Sequence, residues 1–529
     1  MRKSGILMHI TSLPSPYGIG TLGKEARAFV DFLEKAGQSC WQVLPLGQTG
    51  YGDSPYQSCS LYAGNPYLID LDKLVEEGYL TKKEIEEVAW GEDPEKVDFG
   101  LLYERRYPLF RKAFARFREN IPEDYDAFGW EQGQWLEDYA LFMAIKTEAG
   151  GVAWDQWDES LRRREPAAIV EAKKRLGMEM FFWKMLQYFF FRQWQDLKEY
   201  AHEKGILIIG DTPIYAAYDS ADVWAQPWLF SLDEEGRQVE VAGCPPDAFS
   251  EDGQLWGNPV FRWDVMQRDG YDWWIRRIRH NLKVYDVLRI DHFRGFDSYY
   301  CIPAGNKNAK IGWWRQGPGM DFFRKVQQVL GKNLPLIAED LGDITPSVQA
   351  MLAESGYPGM KVLQFAFGGG AGNAYLPQNH RENAVVYTGT HDNTTNLGWW
   401  KQISRKEKTV MRDRLHLDKN ADPNWGLMQA AMESVCDTAI LTMQDLLELG
   451  GEARMNTPST AGGNWVWRAK KGYLTKKLAG QLHRMTERAN RLPGFGGEEA
   501  PWAFQTALGD KLPGWEKRLP ADPVITTNE

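Results

Sequence analysis

Short apolar runs recur along the whole chain and alternate with longer segments of helical periodicity. Eight of these runs have the length of a buried strand and are bounded by polar or turn-forming residues. They predict strands at residues 5–9, 41–45, 206–211, 284–291, 336–339, 360–365, 384–388 and 439–445.

Helical spacing of apolar residues fills several of the gaps between these runs. It predicts helices at residues 26–36, 273–283, 319–330 and 347–354. Eight strands that alternate with helices favour a (β/α)8 TIM barrel over an open sheet. We therefore expect an α/β fold in which residues 1–529 form one barrel without a separate C-terminal β-domain.

Two connections are too long to be single helices, and they predict large insertions after strands 2 and 3. Residues 47–205 are rich in charged and aromatic residues at helical spacing, which predicts a mostly helical subdomain ending in a long helix at 178–204. Residues 212–272 contain five prolines and several glycines. A long ordered loop of this kind is usually functional, so we expect a lid or substrate-binding subdomain there.

Composition narrows the class of protein. The chain has 529 residues, 43% of them hydrophobic, and a net charge of −10 without a clustered basic stripe, which argues against nucleic acid as a partner. Its five cysteines are scattered and lack CxxC spacing, which suits a reducing cytoplasm and offers no thiolate metal site. The first residues lack a signal-peptide apolar region, and no run approaches about 20 apolar residues, so we expect no membrane span.

Aromatic residues are abundant, with 23 Trp, 22 Tyr and 24 Phe. Their flat rings suit the apolar faces of sugars, although core packing is the better interpretation for most individual tryptophans. Trp224, Trp228 and Trp256 lie in loop-like sequence and are the better candidates for sugar contact.

Three predicted strands lead into acids: Asp291, Glu339, and Asp392 of the His391-Asp392-Asn393 triplet. In a parallel barrel the carboxyl ends of the strands face the active site. Three acids from three such ends would therefore meet in one pocket. Grouped carboxylates are what the chemistry of a glycosidic bond requires.

Each acid also has a structural interpretation. Asp291 could form a simple ion pair with Arg289, which lies two residues earlier on the same strand face. Glu339 could cap a helix, although Asp340 is the better candidate for a cap. Asp211, which ends the third strand before a proline, could be a turn residue. The four acids at the ends of four strands are more specific together than any one alone.

Two other chemistries fit the sequence poorly. A metal site around His391 is weakly supported, since the chain has eight histidines and no HExxH spacing. A serine nucleophile would need an exposed elbow of the GxSxG type, and that motif is absent from the sequence. Hydrogen bonds from His391 and Asp392 to sugar hydroxyls fit better.

Four segments, at residues 210–215, 289–295, 338–342 and 389–393, resemble the signature regions of the α-amylase clan. Further segments are similar to those of amylomaltases, the 4-α-glucanotransferases of glycoside hydrolase family 77, over nearly the whole chain. They lie at residues 9–15, 54–56, 241–250, 254–259, 454–458 and 463–465.

The resemblance implies a role for each candidate residue. Asp291 would be the nucleophile, Glu339 the general acid and base, and Asp392 a group that holds sugar hydroxyls and stabilises the distorted ring. Arg289 would orient Asp291. Substrate contacts are implied for Tyr56, Asp211, Asp247, Trp256, His391 and Asn464.

The same resemblance implies α-1,4-glucans and maltooligosaccharides as substrates, glucose as an acceptor, and neither a metal nor an organic cofactor. Transfer to a sugar instead of water requires exclusion of water, and the proline-rich loop at residues 241–253 is the candidate lid. Two alternatives stay open: a hydrolase or phosphorylase of the same clan, and a glycan-binding protein without activity.

Overall fold

The structure is a computed structural model that describes residues 2–50, 52–246, 250–460 and 462–493. Within these ranges the chain forms twelve strands: β1 (Lys3–Leu7), β2 (Cys40–Gln42), β3 (Leu207–Thr212), β4 (Glu240–Cys244), β5 (Gln254–Pro259), β6 (Val287–Ile290), β7 (Ser298–Pro303), β8 (Trp313–Gln316), β9 (Leu336–Ala338), β10 (Gly359–Val362), β11 (Ala384–Tyr387) and β12 (Thr438–Thr442).

The same ranges contain nineteen α-helices: α1 (Lys24–Lys35), α2 (Leu71–Glu76), α3 (Lys82–Glu86), α4 (Phe99–Phe117), α5 (Tyr125–Glu131), α6 (Gly133–Glu148), α7 (Glu159–Arg162), α8 (Pro166–Arg175), α9 (Gly177–Glu203), α10 (Ala221–Ala225), α11 (Trp263–Arg268), α12 (Asp272–Val284), α13 (Gly319–Leu330), α14 (Pro346–Ser355), α15 (Asn396–Gln402), α16 (Arg405–Arg414), α17 (Pro423–Glu433), α18 (Met443–Leu446) and α19 (Lys476–Arg488). Short 3-10 turns lie at Ile10–Ser12, Pro66–Leu68, Trp154–Gln156, Pro227–Leu229, Phe293–Phe296, Leu363–Phe365, Pro377–Asn379 and Gly451–Ala453.

Eight strands form one parallel sheet in the order β10-β11-β12-β1-β2-β3-β6-β9. The first and last strands of the described ranges pair directly, with Lys3 opposite Thr438. The sheet closes between β9 and β10, where the amide of Ala338 donates to the carbonyl of Pro358 at 2.9 Å. All eight predicted strands are present, and the predicted (β/α)8 barrel is confirmed.

The barrel strands are apolar because both of their faces are covered. Every residue of β3 and β11 is buried, between the barrel interior on one face and helices on the other. The predicted helices α1, α12, α13 and α14 are present to within two residues at each end. Thr345 caps α14, Pro346 occupies its first turn, and Gly356 ends it with a left-handed φ of 74°.

Helices α2 to α9 occupy most of the connection between β2 and β3, and α9 begins one residue before the predicted position. The side chain of Gln187 in α9 bonds both backbone groups of Gly64, and Gln193 bonds both backbone groups of Asp70. These bonds tie the start of the connection to α9. The division into a barrel with two inserted subdomains stays a prediction. Although α9 has 27 residues, no helix of the described ranges has the length and apolarity to cross a membrane.

A second, antiparallel sheet has the order β5-β4-β7-β8, and the sequence patterns do not predict it. Its strands are short, and prolines and glycines interrupt them. A β-carbon at Gly243 would lie 2.1 Å from the carbonyl oxygen of Gln254, so the close pairing of β4 with β5 requires glycine there. The candidate lid at residues 241–253 thus contains most of β4 and the connection from β4 to β5.

Trp224 does not face a sugar site. It lies in α10 and is completely buried, with the guanidinium of Arg164 stacked over its ring at 4.1 Å. The interpretation of this residue as part of a loop is wrong, because Ser220 caps a short helix there and turns the indole inward. Trp228, by contrast, is 56% exposed.

The last described turn is tied to the beginning of the barrel through Arg491. Its guanidinium is buried and donates to the carbonyl oxygens of Lys3, Met432, Ser434 and Cys436 at 2.7–2.8 Å. One side chain therefore joins the segment after α19 to the residues that enter β1 and β12.

Candidate active site at the carboxyl ends of the barrel strands

Five barrel strands bring the residues singled out in the sequence to one end of the barrel. Asp211 lies in β3, and Arg289 lies in β6 with Asp291 directly after it. The other residues follow strands in the chain: Tyr56 after β2, Glu339 after β9, and His391 and Asp392 after β11.

Arg289 joins two carboxylates inside the barrel. Its Nη1 donates to both oxygens of Asp211, at 2.8 and 2.7 Å, and its Nη2 lies 2.9 Å from Oδ1 of Asp291. Arg289 and Asp291 share a strand face, as their spacing predicts. Contact of Nη1 with both oxygens of Asp211 fixes the guanidinium, so Nη2 aims the carboxylate of Asp291.

The charges of this cluster compensate one another. Burial acts to lower the pKa of Arg289, but the negative charges of Asp211 and Asp291 outweigh it and hold that pKa well above its usual value. Burial raises the pKa of Asp211, and the charge of Arg289 acts in the opposite direction. A buried cation between two acids is locked in place, since moving it would leave charges unpaired.

Asp291 stands where the chain leaves β6. Its side chain is 31% exposed, so it is accessible from the mouth of the barrel. The next residue, His292, has a left-handed φ of 53°, which is uncommon for a residue other than glycine and often marks a functional site. This turn directs the amide of His292 to Oε2 of Glu339 at 2.7 Å.

Glu339 is held by two backbone amides and is almost completely buried. Oε2 accepts from His292 and Oε1 accepts from Leu341 at 2.8 Å. Burial, and then the charge of Asp291, raise the pKa of Glu339 to about 8, although Arg289 and the two amides act to lower it. Burial and the charge of Asp291 therefore favour the protonated form of Glu339.

Asp340 does not cap a helix, so that expectation is wrong. Its Oδ1 accepts from the amide of Met360 in β10 at 2.6 Å, and the cap of the next helix is Thr345. Asp340 instead reinforces the closure of the barrel between β9 and β10, beside the bond from Ala338 to Pro358.

An aromatic wall borders the acids. The hydroxyl of Tyr56 donates to Oδ2 of Asp211 at 2.8 Å, and its ring stacks on His391 with centroids 5.2 Å apart. Trp465 is tilted against both rings at 5.9 Å. The sequence patterns do not single out Trp465, although it directly follows Asn464 in a segment that carries the family resemblance.

Asp392 is 45% exposed and is oriented by two residues that sequence reasoning missed. Its Oδ1 accepts from Nδ2 of Asn456 at 2.6 Å, and its backbone oxygen accepts from the guanidinium of Arg454. The amide of Asn456 also donates to the carbonyl of His391 at 3.1 Å. The signal was present, because the 454–458 segment carries the family resemblance, but no individual role could be assigned to its residues.

Trp256 lies beside the turn that carries the nucleophile candidate. It is half-buried in β5, and its ring packs edge-on against His292 with centroids 4.8 Å apart. Burial lowers the pKa of His292 to about 4, so this imidazole is neutral at physiological pH. The antiparallel sheet thereby contacts the catalytic end of the barrel.

Two predicted contact residues are not seen against the acids. Asn464 uses its side chain within its own loop, accepting from the amide of Thr457 at 2.9 Å and donating to the carbonyl of Thr460 at 3.1 Å. It shapes the loop that carries Trp465. Asp247 lies outside the described residues.

The arrangement supports one kind of chemistry. Glu339 carries a proton at neutral pH, whereas Asp291 is partly exposed and faces a fixed cation. Two neighbouring carboxyl groups in such different environments suit a division into acid and nucleophile at a glycosidic bond. Nowhere in the described part of the chain are three His, Cys, Asp or Glu side chains grouped so that they could hold a metal ion.

Comparison with known proteins points in the same direction. The model of the family described as 4-alpha-glucanotransferase matches residues 8–475. The chain is 50% identical over 502 residues to a 4-alpha-glucanotransferase of Thermus thermophilus, covering 93% of this chain and 99% of that protein. It is 47% identical over 481 residues to the Clostridium butyricum 4-alpha-glucanotransferase, covering 90% and 99%.

A solved structure is also similar. The amylomaltase of Streptococcus agalactiae, in complex with acarbose, is 43% identical and superposes with a TM-score of 0.91 over 93% of this chain and all of that one. Since the family model spans most of the sequence and close relatives match it almost from end to end, the chain belongs to the 4-alpha-glucanotransferase family, glycoside hydrolase family 77.

Proposed function

We propose that this protein is a 4-α-glucanotransferase, which moves α-1,4-glucan segments from a donor chain to the 4-hydroxyl of an acceptor glucan or glucose. The pairing of Asp291, held by Arg289, with the buried Glu339 supports the retaining chemistry, and membership of the 4-alpha-glucanotransferase family supports transfer to a sugar. A retaining mechanism needs one carboxylate nucleophile and one protonated acid beside it.

In the first half of the reaction, an oxygen of Asp291 attacks the anomeric carbon of the sugar at the cleavage point. The bond to the leaving glucan breaks, and its 4-oxygen takes the proton of Glu339. A covalent glucosyl-enzyme forms. Asp392 and His391 bind hydroxyls of this sugar and support its distorted ring.

The second half reverses these steps with another sugar. Glu339, now a carboxylate, takes the proton from the 4-hydroxyl of the acceptor. The acceptor oxygen attacks the anomeric carbon, and Asp291 leaves. Water at about 55 M competes with sugar at far lower concentration, so transfer depends on exclusion of water and on placement of the acceptor. The 241–253 loop acts as the lid.

The remaining residues bind the glucan around this centre. Tyr56 and Asp211 line the cleavage point, and the ring of Trp256 lies beside it. Asp247 in the lid and Asn464 in the rim loop contact the glucan. The substrates are α-1,4-glucans and maltooligosaccharides in the cytoplasm, with no role for nucleic acid, membrane or cofactor.

Incubation of the pure protein with maltotriose tests the proposal directly. Glucose together with longer glucans, at a constant number of reducing ends, is the result expected for transfer. Rising reducing ends with only shorter products would identify a hydrolase. Products that form only with inorganic phosphate and carry it at C1 would identify a phosphorylase, and an unchanged substrate would leave only glucan binding.

The first variant for this assay is Asp291→Asn. It should abolish turnover while the protein still binds maltotriose, because the amide keeps the shape of the side chain but cannot act as the nucleophile. Asp343→Asn is the matched control, since the side chain of Asp343 is 86% exposed. Turnover that survives in Asp291→Asn would show that another residue is the nucleophile.

A further inference from the structure

The eighth predicted strand also ends in an acid, Asp445, which the mechanism above does not use. Asp445 lies in α18, directly after β12, and is 2% exposed. Burial raises its pKa to about 6, against the opposing effect of hydrogen bonds from Asn396, Thr442 and Thr388. A buried carboxylate must be satisfied by hydrogen bonds, so its partners show what it holds.

The partners of Asp445 are the two ends of one segment. Its Oδ2 accepts from the hydroxyl of Thr388 at 3.0 Å, and its Oδ1 accepts from the amide of Asn396 at 2.7 Å. Between these two residues lie His391 and Asp392. We call residues 388–396 the sugar-binding segment.

A second residue, Gln364, supports the same two ends. Its backbone amide donates to the carbonyl of Thr388 at 3.2 Å, and its buried side-chain nitrogen donates to Oδ1 of Asn396 at 3.1 Å. Asn396 in turn donates to Oδ1 of Asn424, and Asn424 donates to the carbonyl of Asp445 at 2.8 Å. These hydrogen bonds connect the sugar-binding segment to the 3-10 turn after β10, to α17 and to α18.

Within the segment, local hydrogen bonds set the shape of the turn. Asn393 accepts from the amide and the hydroxyl of Thr390, both at 2.9 Å, and Thr390 accepts from the amide of Asp392 at 3.3 Å. From outside the segment, Arg454 and Asn456 contact its middle, as described above, and the side-chain nitrogen of Gln364 donates to the carbonyl of Thr394 at 3.0 Å. The position of the turn relative to the opposite acids therefore depends on these contacts and on the anchoring of its two ends.

We propose that Asp445 is a positioning residue that clamps both ends of the sugar-binding segment and thereby sets where His391 and Asp392 meet the sugar. This inference rests on the proposed function, because it acts through the residues that bind the sugar at the cleavage point. Asp445 touches neither substrate nor reacting atoms; its effect passes through Thr388 and Asn396.

The geometry distinguishes the substitutions that break the clamp from those that keep it. Asn at position 445 can accept from the amide of Asn396 with its oxygen and donate to Thr388 with its nitrogen, since a hydroxyl serves as donor or acceptor. Ala at position 445 loses both bonds. At position 388, Ser keeps the hydroxyl, whereas Val removes it at nearly constant volume.

The test is kcat and KM for maltotriose disproportionation, expressed per folded molecule, for these four variants. We expect Asp445→Ala to lower kcat roughly tenfold to a hundredfold with a smaller change in KM, the scale on which misplacement of a catalytic-site group by about 1 Å acts. Asp445→Asn and Thr388→Ser should keep most of the activity. The kcat of Thr388→Val should lie between the values of these two variants and that of Asp445→Ala.

Asp286→Asn is the control for a purely structural role. Asp286 is also a buried acid that binds a backbone amide, that of Ile208 at 2.7 Å, but it precedes β6 at the opposite end of the barrel. The Asp286→Asn substitution should lower the midpoint of thermal denaturation without changing kcat per folded molecule.

Two results would overturn the inference: an unchanged kcat per folded molecule in Asp445→Ala, or a loss in Asp445→Asn as large as in Asp445→Ala. If Asp445→Ala does not fold, the Thr388→Val and Thr388→Ser pair decides, and equal kcat values for the two would overturn it. A wild-type protein that does not disproportionate maltotriose would instead refute the proposed function.

Discussion

At the scale of single residues, the two carboxyl groups that we propose to react differ because of their surroundings. Asp291 faces a guanidinium at 2.9 Å and the open mouth of the barrel. Glu339 is buried between backbone amides, and burial together with the nearby negative charge stabilises its protonated form. With its ordinary pKa, Glu339 would be ionised at pH 7 and would have no proton to give. The raised pKa keeps that proton available for the first step.

This difference predicts the alkaline side of the pH profile. Glu339 is protonated below its pKa of about 8, and only the protonated form can donate to the leaving oxygen. We expect kcat/KM for maltotriose to fall tenfold per pH unit above about pH 8, as one essential proton is lost. Initial rates at substrate concentrations well below KM, measured from about pH 6 to about pH 9.5, provide the check.

A maltosyl fluoride donor supplies the control, because fluoride leaves without a proton. With this donor, the rate at which the covalent intermediate forms should no longer fall at alkaline pH. The Glu339→Gln variant should still form the intermediate from it. A fall at the same pH with both donors would assign the titration to another group.

Some residues of the site can be predicted from the sequence and others cannot. An acid at the end of an apolar run, such as Asp291 or Glu339, is visible because the strand period and the polar ending coincide. Asn456 and Trp465 are not visible in this way, since they lie in an irregular loop after β12 and reach the site only through the tertiary fold. Trp224 shows the converse error, in which proline-rich surroundings suggested a loop around a fully buried side chain.

At the scale of elements, the barrel could be predicted and the antiparallel sheet could not. Barrel strands such as β11 are buried on both faces and give an uninterrupted apolar run. Strand β8 is exposed at all four positions and pairs only with β7 at the edge of the small sheet, so its sequence has neither an apolar run nor an alternation of apolar and polar residues. Strands β4 and β5 contain glycine and proline, which favour a loop interpretation.

The loop between β4 and β5 belongs to the lid that we propose, so the preference for transfer should depend on it. Shortening the 245–253 loop should raise the ratio of hydrolysis to transfer, because water gains access to the covalent intermediate. The measurement is the rate of new reducing ends divided by the rate of glucose transfer from maltotriose.

A matched control removes two residues from another surface turn of the same insertion. The turn at residues 233–237 is closed by a bond from the amide of Asp233 to the carbonyl of Arg237 at 2.8 Å. Deleting Glu234 and Glu235 there should leave the ratio unchanged. An unchanged ratio in the shortened 245–253 loop would mean that this loop is not the lid.

At the scale of the whole molecule, the barrel depends on contacts between the two extremes of the described chain. Arg491 donates to carbonyl oxygens beside β1 and β12 that would otherwise lack part of their hydrogen bonding. We expect Arg491→Met to lower stability by about 3 kcal/mol, since several buried carbonyl groups lose a charged donor. The kcat of the remaining folded protein should be unchanged.

Thermal denaturation measures this effect as a shift in the midpoint. Arg488→Met is the control, because Arg488 lies at the exposed end of α19, three residues earlier. Equal midpoints for the two variants would show that the Arg491 contacts contribute nothing measurable to stability.

The same contact joins residues that the ribosome makes at the beginning and near the end of the described chain. Lys3 and Arg491 are 488 residues apart, and β1 pairs with β12 near the far end of that interval. At about 5–20 residues per second, a ribosome needs roughly half a minute or more between making the first and the second partner. Until β12 has been made, one edge of β1 is unpaired, so the barrel can close only after residue 442 has been translated. In the nascent chain that edge is open to other pairing partners for most of the synthesis.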